Sequence, residues 1–280
     1  MDEILQLTDA TKEIHAWIEK NLKDKRVDDR DVLRASSASQ CVKKRWFKHK
    51  GYRGEELQPR AIMVFALGDA VEHIYKYFIE NACVGPGKLY SEVDFGKKLG
   101  TFTIQHREFT TYEQETIKVV VSNLEISGHC DGWGKRSCDG EWELIEIKSA
   151  ASFGYDKFVN GETPDYIKQV HAYLLSEKAK ALGAKSVRFF YLNKNTSHIY
   201  DRLYDFDSAI AQQVVSDFIA SVKDEEPNRP YEPIDETERR ALTGRKILGY
   251  PCSYCEYKIE CYKGSKLEFS KSGKPVWVVE

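Results

Sequence analysis

The sequence predicts a single α/β domain in which a mixed sheet is flanked by helices. Three observations lead to this fold class: helical periodicity in the first third of the chain, a central block of short strands, and a return to helix, strand and helix. A chain of 280 residues with 41% hydrophobic side chains can bury a sizeable core. Its 31% of charged residues supplies a solvated surface, so a soluble globular protein is expected rather than a fibrous or disordered one.

The first third of the chain contains two predicted helices. Apolar residues at helical spacing predict an amphipathic helix over residues 8–23, with Thr8 as its N-cap. A second helix is predicted over residues 61–82, where apolar residues recur at helical spacing: Val64, Leu67, Val71, Ile74 and Phe78. That helix also carries the polar residues Asp69, Glu72 and His73.

The rest of the chain alternates between strand and helix patterns. Residues 89–148 form short runs rich in Val, Ile, Thr, Phe and Tyr, broken by Gly and charged turns, which indicates antiparallel strands. Residues 162–182 and 207–224 show helical spacing, and residues 185–193 between them are a predicted strand.

Charge and cysteine content limit the possible functions. The 42 Lys and Arg against 44 Asp and Glu give a formal net charge of −2, so any nucleic-acid site must be a local patch. No stretch approaches the ~18 consecutive apolar residues of a membrane span, and the acidic start lacks a secretory pattern. We therefore expect a cytoplasmic protein without a membrane partner. Seven cysteines, an odd number, argue against a disulfide framework in that compartment.

The segment 127–150 carries the most informative polar residues. Asp139-Gly140 is the expected two-residue turn of a hairpin, with Cys138 opposite Glu141. In that register Asp131 faces Lys148 and lies diagonally from Glu146, and all three share one face. Two carboxylates at that spacing can enclose a hard cation, and the lysine can stabilise charge on a phosphate. The alternative is an ordinary salt-bridged hairpin, which arises easily in so charged a chain.

Single residues elsewhere are ambiguous when taken alone. His73 can be a metal ligand or a hydrogen-bonded helix histidine. Gln169 and Tyr173 lie one helical turn apart on the same face of a predicted helix. They can be residues of a functional site, or they can form a polar edge beside the packed core.

The C-terminal cysteines are closely spaced. Cys252, Cys255 and Cys261 form a C-x2-C-x5-C pattern, which points to zinc or an iron–sulfur cluster. A fourth ligand must come from elsewhere, and Cys41 is the best candidate. Cys83, Cys130 and Cys138 are otherwise expected in core or turn positions.

Cys41 precedes a basic and aromatic segment with no acid between Lys43 and Arg53. This segment is predicted either to contact phosphates or to form a solvated basic helix face. The four basic residues considered for nucleic-acid binding are Lys43, Lys44, Arg45 and Lys48.

Taken in order, these motifs resemble the RecB-type nucleases of the PD-(D/E)XK superfamily. The similarity covers roughly residues 36–262 and is to the iron–sulfur branch, which includes CRISPR-associated exonucleases and AddAB nuclease domains. The matching residues are His73 in ALGDAVEH, Asp131 in GHCDG, Glu146 and Lys148 in EIK, Gln169 and Tyr173 in QVHAY, and the one-plus-three cysteines. The chain departs from the family at two positions where relatives commonly have proline. Val42 follows its first cluster cysteine, Cys41, and Cys130 precedes Asp131.

The resemblance implies a restriction-endonuclease-like core closed by a [4Fe–4S] cluster on Cys41, Cys252, Cys255 and Cys261. It implies Mg²⁺ or Mn²⁺ held by His73, Asp131, Glu146 and the Ile147 carbonyl, with Asp131, Glu146, Lys148, Gln169 and Tyr173 as catalytic residues. The implied activity is hydrolysis of DNA from its ends, with single strands favoured. Partners would be DNA and recombination, replication or CRISPR-adaptation proteins.

The expected organisation is a helical extension at 1–35, the nuclease domain at 36–262 and a tail at 263–280. Two other functions are weighed against the nuclease. One is a noncatalytic nucleic-acid-binding or assembly subunit with the same fold, and the other is a zinc-ribbon regulator.

Overall fold

The computed structural model describes residues 9–21, 33–56, 59–113, 115–121, 123–162, 166–235, 245–269 and 275–279. They belong to two compact units. The first unit takes its residues from the segments 1–30, 40–63 and 220–280, and the second from 31–39 and 64–219. The expected domain limits near residues 35 and 262 stay a prediction, and the two units divide the chain at other positions.

The helices of the described residues are α1 (Asp9–Asn21), α2 (Val42–His49), α3 (Pro59–Phe78), α4 (Ser152–Val159), α5 (Ile167–Leu174), α6 (Glu177–Leu182), α7 (Ser208–Val222) and α8 (Lys258–Cys261). A π-helical turn, Ile79–Cys83, extends α3, and short 3₁₀ turns form at Ala35–Ser37 and Cys252–Tyr254. Among these helices, none combines the length and apolar character needed to cross a membrane.

The strands are β1 (Leu33–Arg34), β2 (Tyr90–Asp94), β3 (Lys98–Ile104), β4 (Arg107–Tyr112), β5 (Glu115–Val121), β6 (Leu124–Cys130), β7 (Gly132–Arg136), β8 (Trp142–Ala150), β9 (Ser186–Asn193), β10 (Ile199–Asp205), β11 (Ile234–Asp235), β12 (Lys246–Ile247), β13 (Lys266–Phe269) and β14 (Pro275–Val279).

The second unit contains a mixed sheet with helices, as the sequence predicts. Its five strands have the order β10-β9-β8-β7-β2. Strands β8 and β9 are parallel, whereas the other neighbours in this sheet are antiparallel. A second sheet has the order β1-β6-β5, and β3 pairs with β4 in a separate hairpin. The mixed α/β class is confirmed.

The predicted helix over 162–182 is broken into two. Helix α5 ends at Leu174, and α6 begins after Ser176, whose hydroxyl accepts a hydrogen bond from the Ala179 N–H at 3.1 Å. A serine in this position satisfies a free N–H group at a helix start, which favours a new helix over continuation of the old one. The first described helix confirms the prediction over 9–21, and its proposed cap Thr8 lies outside the described residues.

The core of the second unit lies between α3 and the five-stranded sheet. Tyr75 and Ile79 pack in one cluster with Ile145, Ile147 and Phe190 of the two parallel strands. Because side chains alternate along a strand, burial of Ile145 and Ile147 on this face directs Glu146 and Lys148 of β8 to the other one.

The buried side of α3 differs from the apolar stripe that periodicity indicates. Val64 and Leu67 are 46% and 61% exposed, whereas Tyr75 and Lys76 are 4% and 0% exposed. A lysine therefore occupies a fully buried position of this helix.

The first unit contains a small sheet with the order β11-β12-β14-β13 and an aromatic cluster. Trp46, Phe47 and Tyr257 are buried together, with Cys255 and Cys261 packed against them. This places α2 beside the segment that carries the C-terminal cysteines.

Candidate active site

Asp131 lies where the chain passes from one sheet to another. It is the single residue between β6, which pairs with β5 and β1, and β7, which joins the five-stranded sheet. It is 6% exposed, and its Oδ2 accepts a hydrogen bond from the Ile147 N–H at 2.6 Å. The change of sheet leaves this side chain aimed at the middle of β8.

The loop of the hairpin that β7 and β8 form is two residues longer than the predicted two-residue turn. Trp133 pairs with Leu144, and Arg136 N–H bonds the Glu141 carbonyl at 2.9 Å, which leaves residues 137–140 as a four-residue loop. Asp139 stabilises this loop by accepting from the Glu141 N–H at 3.1 Å and from the Arg136 guanidinium at 2.7 Å. The predicted Cys138–Glu141 pairing is therefore wrong.

The error in register leaves the predicted face unchanged. A shift of two residues along a strand returns every side chain to the same side of the sheet. Extending the observed pairing of Gly132 with Ile145 by one step brings Asp131 opposite Glu146 instead of Lys148. The two carboxylates are thus nearer neighbours than the sequence predicts.

Glu146 and Lys148 form an ion pair on β8. Glu146 is 1% exposed, while the Lys148 side chain keeps 21% of its surface accessible. Tyr166, at the start of α5, is 43% exposed and has its ring centroid 4.9 Å from the Lys148 Nζ. The ammonium group is thus held between a buried carboxylate and an exposed aromatic ring.

Burial and mutual repulsion disfavour negative charge on the two carboxyl groups. The pKa of Asp131 is raised well above its usual range by burial first, and then by the charges of Glu146 and Glu72. Burial also raises the pKa of Glu146, against the opposing effect of Lys148. Burial alone would lower the pKa of Lys148, but the two carboxylates raise it instead, so its ammonium form is strongly favoured.

Helix α3 contributes two residues that the sequence analysis did not place in the site. The charges of Glu72 and Lys76 act on both Asp131 and Glu146. Lys76 Nζ lies 2.6 Å from Glu72 Oε1. The i, i+4 spacing of this Glu and Lys, which allows an ion pair on one side of the helix, is the signal in the sequence that points to them.

The predicted ligand His73 is next to Glu72 in the same helix. Its Nδ1 is buried without a hydrogen-bond partner among the described residues. Glu146 Oε2 is in the same condition. With its proton on Nε2, His73 would offer the Nδ1 lone pair to a cation, as Glu146 would offer Oε2. The role of His73 as a ligand stays a prediction.

Helix α5 supports Glu146 through a chain of hydrogen bonds. Gln169 Nε2 donates to Glu146 Oε1 at 3.4 Å and to the Tyr173 hydroxyl at 2.9 Å. The Tyr173 hydroxyl donates to the His129 carbonyl at 2.8 Å. Both side chains are buried, at 7% and 1% exposure, so in this arrangement they position Glu146 and the end of β6.

This approach of α5 to β6 depends on a glycine. A Cβ at Gly128 would lie 2.7 Å from Tyr173 Cε1 and 2.9 Å from the Ala35 Cβ. Any larger residue at position 128 would push Tyr173 away from the strand.

The fit of these groups to a divalent cation rests on donor chemistry and charge. Three carboxylates, from Glu72, Asp131 and Glu146, act on one another, and oxygen ligands of this kind suit Mg²⁺ and Mn²⁺. Within the described part of the chain, no three His, Cys, Asp or Glu side chains are already arranged around a common point at ligand distance. Two of the carboxylates are instead drawn toward lysines.

The four cysteines predicted as cluster ligands all belong to the first unit. Burial raises the pKa of Cys252, Cys255 and Cys261, and the charge of Cys41 raises each of them further. The charge of Cys41 thus acts on all three, and none of the four is in a disulfide. The donor chemistry fits a thiolate-bound centre, although these side chains too are not drawn into ligand geometry.

Three other cysteines were predicted in core or turn positions, and Cys83, in the π-helical turn, is partly buried against the core of the second unit. Cys130 is buried at the end of β6, and Cys138 is exposed in the hairpin loop. Both predictions are confirmed.

The predicted nucleic-acid contacts of α2 are placed unequally. Lys43 and Arg45 are buried, at 7% and 5% exposure, and Lys43 Nζ lies 2.5 Å from Glu226 Oε1. Lys44 is partly exposed and pairs with Glu256 at 3.2 Å, while Lys48 is exposed. Of the four, Lys44 and Lys48 are the ones that a phosphate can reach.

No protein-family model and no curated protein matches this sequence. Among solved structures, the chain is similar to SSO0001, with 14% identity, a TM-score of 0.45, and coverage of 89% of this chain and 92% of that one. It is also similar to the alkaline exonuclease LHK-Exo from Laribacter hongkongensis, with 14% identity, a TM-score of 0.39, and coverage of 75% and 92%. For the structure of LHK-Exo in complex with dAMP, the identity is 15%, the TM-score is 0.39, and the similarity covers 69% of this chain and 90% of that one. The function proposed below rests on the residues of the site.

Proposed function

We propose that this chain is a metal-dependent deoxyribonuclease of the PD-(D/E)XK type. The observation that carries the proposal is the meeting of Asp131, Glu146 and Lys148 at the junction of β6, β7 and β8. A buried carboxylate pair beside a lysine is costly to maintain for structure alone. The same groups are suited to hydrolysis of a phosphodiester.

Asp131 and Glu146 would hold the cation, with Glu72 beside them and with His73 and the Ile147 carbonyl as further predicted ligands. A bound Mg²⁺ or Mn²⁺ supplies Lewis-acid polarisation of the phosphate and a more acidic water. The hydrogen bond from the Ile147 N–H fixes one oxygen of Asp131, so that its other oxygen is the one directed to a ligand.

In this proposal Lys148 supplies a positive charge and hydrogen-bond donors. Its pairing with Glu146 keeps the ammonium protonated, so it donates hydrogen bonds to a phosphate oxygen or to the attacking water. It does not serve as the general base. Its accessible surface and its place beside the exposed ring of Tyr166 leave it open to a substrate.

Gln169 and Tyr173 act through Glu146. Their bonds to Glu146 and to the His129 carbonyl hold the carboxylate against the end of β6. Errors of about 1 Å in such positioning can cost roughly 10²-fold in rate. These two residues are therefore positioning residues in this mechanism.

Two finer parts of the proposal come from the motif pattern. Action from DNA ends, with single strands favoured, follows from the resemblance, and Lys44 and Lys48 are the phosphate contacts that their exposure supports. A [4Fe–4S] cluster on Cys41, Cys252, Cys255 and Cys261 is proposed as a structural element, with zinc as the other metal that such thiols can hold. Cytoplasmic location and partners from recombination, replication or CRISPR adaptation stay predictions.

The test is a time course on 5′- and 3′-labelled single- and double-stranded DNA with Mg²⁺, Mn²⁺ or EDTA. Anaerobically purified wild type is compared with Glu146→Ala and with Glu125→Ala, an exposed acid on β6 that pairs with Lys118. Wild type and Glu125→Ala should cut only with metal, and Glu146→Ala should not cut. If all three bind DNA and none cuts it, the chain is a noncatalytic binding subunit.

A further inference from the structure

The site contains one more cation than the mechanism uses. Lys148 pairs with Glu146 and reaches solvent, whereas Lys76 of α3 has no accessible surface at all. Its Nζ lies 2.6 Å from Glu72 Oε1, and the ring centroid of Phe95 is 5.8 Å away. Because this lysine cannot reach a substrate from a fully buried position, it needs another explanation.

Packing alone does not account for a lysine at this position. Burial removes an ammonium group from water at a high free-energy cost, and a methionine would fill similar space without that cost. Apart from the ion pair, Lys76 Nζ has no hydrogen-bond partner among the described residues. Its position is therefore explained by charge.

The charge of Lys76 acts on the whole carboxylate group. It opposes the shift that burial and repulsion impose on Asp131 and Glu146, besides pairing directly with Glu72. Three carboxylates and two lysines leave this buried cluster with a formal charge of −1. Replacing Lys76 by a neutral side chain would leave −2, which repels itself more and attracts a divalent cation more strongly.

We propose that Lys76 is a built-in counter-ion of the Glu72, Asp131 and Glu146 carboxylates that sets the affinity of the site for its divalent cation. Its ammonium group stabilises the carboxylates when no cation is bound and opposes the cation when one binds. The inference rests on the proposed metal site and deepens it. Lys76 is a positioning residue, since it touches Glu72 and not the substrate.

Calorimetric titration of the full chain with Mn²⁺ tests the proposal, with Asp131→Asn as the blank that identifies heat from this site. Lys76→Met should bind Mn²⁺ at least tenfold more tightly than wild type. It should also melt at a lower temperature in EDTA and gain a larger melting shift from Mn²⁺. Lys76→Arg, which keeps the charge, should restore affinity toward the wild-type value.

Lys178→Met is the matched control. Lys178 pairs with Asp94 at 2.8 Å and with Glu115 at 2.6 Å, and its charge is not among the largest that act on Asp131 or Glu146. This variant should lose stability while its affinity for Mn²⁺ stays within twofold of wild type. A purely structural role for Lys76 would give the same result as this control.

The outcomes separate the two claims. If wild type takes up no Mn²⁺ at a site that Asp131→Asn removes, the metal site itself is wrong. If wild type binds and Lys76→Met binds with equal or weaker affinity, the counter-ion role is overturned while the metal site stands. If Lys76→Met folds only with Mn²⁺ present, the cation is replacing the lysine as proposed. Failure to fold even with Mn²⁺ overturns the proposal.

Discussion

Replacement of Gly128 by Ala tests the support of the site by α5. The new Cβ would lie 2.7 Å from Tyr173 Cε1, 3.1 Å from its hydroxyl and 2.9 Å from the Ala35 Cβ. Overpacking of this kind costs about 1–3 kcal/mol. Displacement of Tyr173 would also weaken its bonds with Gln169 and the His129 carbonyl, each worth about 1 kcal/mol. We expect a loss of about 2–4 kcal/mol in the free energy of unfolding.

The assay is urea unfolding of wild type and Gly128→Ala, followed by far-ultraviolet circular dichroism. Gly154→Ala in α4 is the matched control, because its Cβ would lie no nearer than 3.4 Å to the Ala150 Cβ. That control should be unchanged or more stable by up to about 1 kcal/mol, since alanine favours helix. In a Tyr173→Ala background, Gly128→Ala should lower the free energy of unfolding by less than half as much as it does in wild type. Equal stability of wild type and Gly128→Ala would show that the packing of Tyr173 against β6 does not depend on a glycine at position 128.

Three further predictions concern charge, pH and the thiols. Lys148→Met should lower the rate of DNA cleavage by about 10²-fold or more, whereas Lys178→Met should not; equal rates would exclude Lys148 from the chemistry. Burial lowers the pKa of His171 in the folded chain. As the pH falls, His171 is therefore protonated at a higher pH in the unfolded chain than in the folded one, so the free energy of unfolding should decrease below about pH 6.5. Urea midpoints should show a flatter profile for His171→Gln, and parallel profiles would contradict this. Cys255→Ser should lose bound iron or zinc in elemental analysis while Cys83→Ser keeps it; equal metal content would remove Cys255 as a ligand.

The site on β8 could be predicted because alternation along a strand is a strong constraint. Glu146 and Lys148 are two residues apart, so they share a face whatever the neighbouring strand does. Asp131 was placed on that face despite a wrong turn, since the register error was two residues and not one. The loop length itself was missed, because Asp139 bonds to Arg136 and Glu141 instead of forming a two-residue turn.

The contribution of α3 could not be read from apolar periodicity. The pattern marks Val64 and Leu67, which are exposed, and gives no weight to Glu72 and Lys76, whose charges act on Asp131 and Glu146. A buried ion pair is stabilised by groups distant in sequence, so its burial depends on tertiary structure. The break at Ser176 was missed because capping by a single hydroxyl competes closely with helix continuation.

The basic segment after Cys41 shows that a run of basic residues in the sequence does not establish that each of them is exposed. Composition predicted an accessible basic surface, yet Lys43 is buried against Glu226, and Arg45 is buried as well. The acid that pairs with Lys43 lies far along the chain, so no local pattern could reveal it. The grouping of Cys41 with the three later cysteines around one metal centre stays a prediction, and the effect of the Cys41 charge on all three agrees with it.

In the proposed function, Asp131 and its neighbours hydrolyse DNA with the help of a divalent cation. Its most direct test is single-turnover cleavage of end-labelled single-stranded DNA with Mn²⁺ by wild type, Asp131→Asn and Asp139→Asn. Asp139 is the control, since it lies in the exposed hairpin loop a few residues away. Wild type and Asp139→Asn should cut at similar rates, both abolished by EDTA, and Asp131→Asn should be slower by about 10²-fold or more. Cleavage by Asp131→Asn at the wild-type rate would show that Asp131 takes no part in catalysis, and wild-type cleavage that survives EDTA would show that no divalent cation is needed.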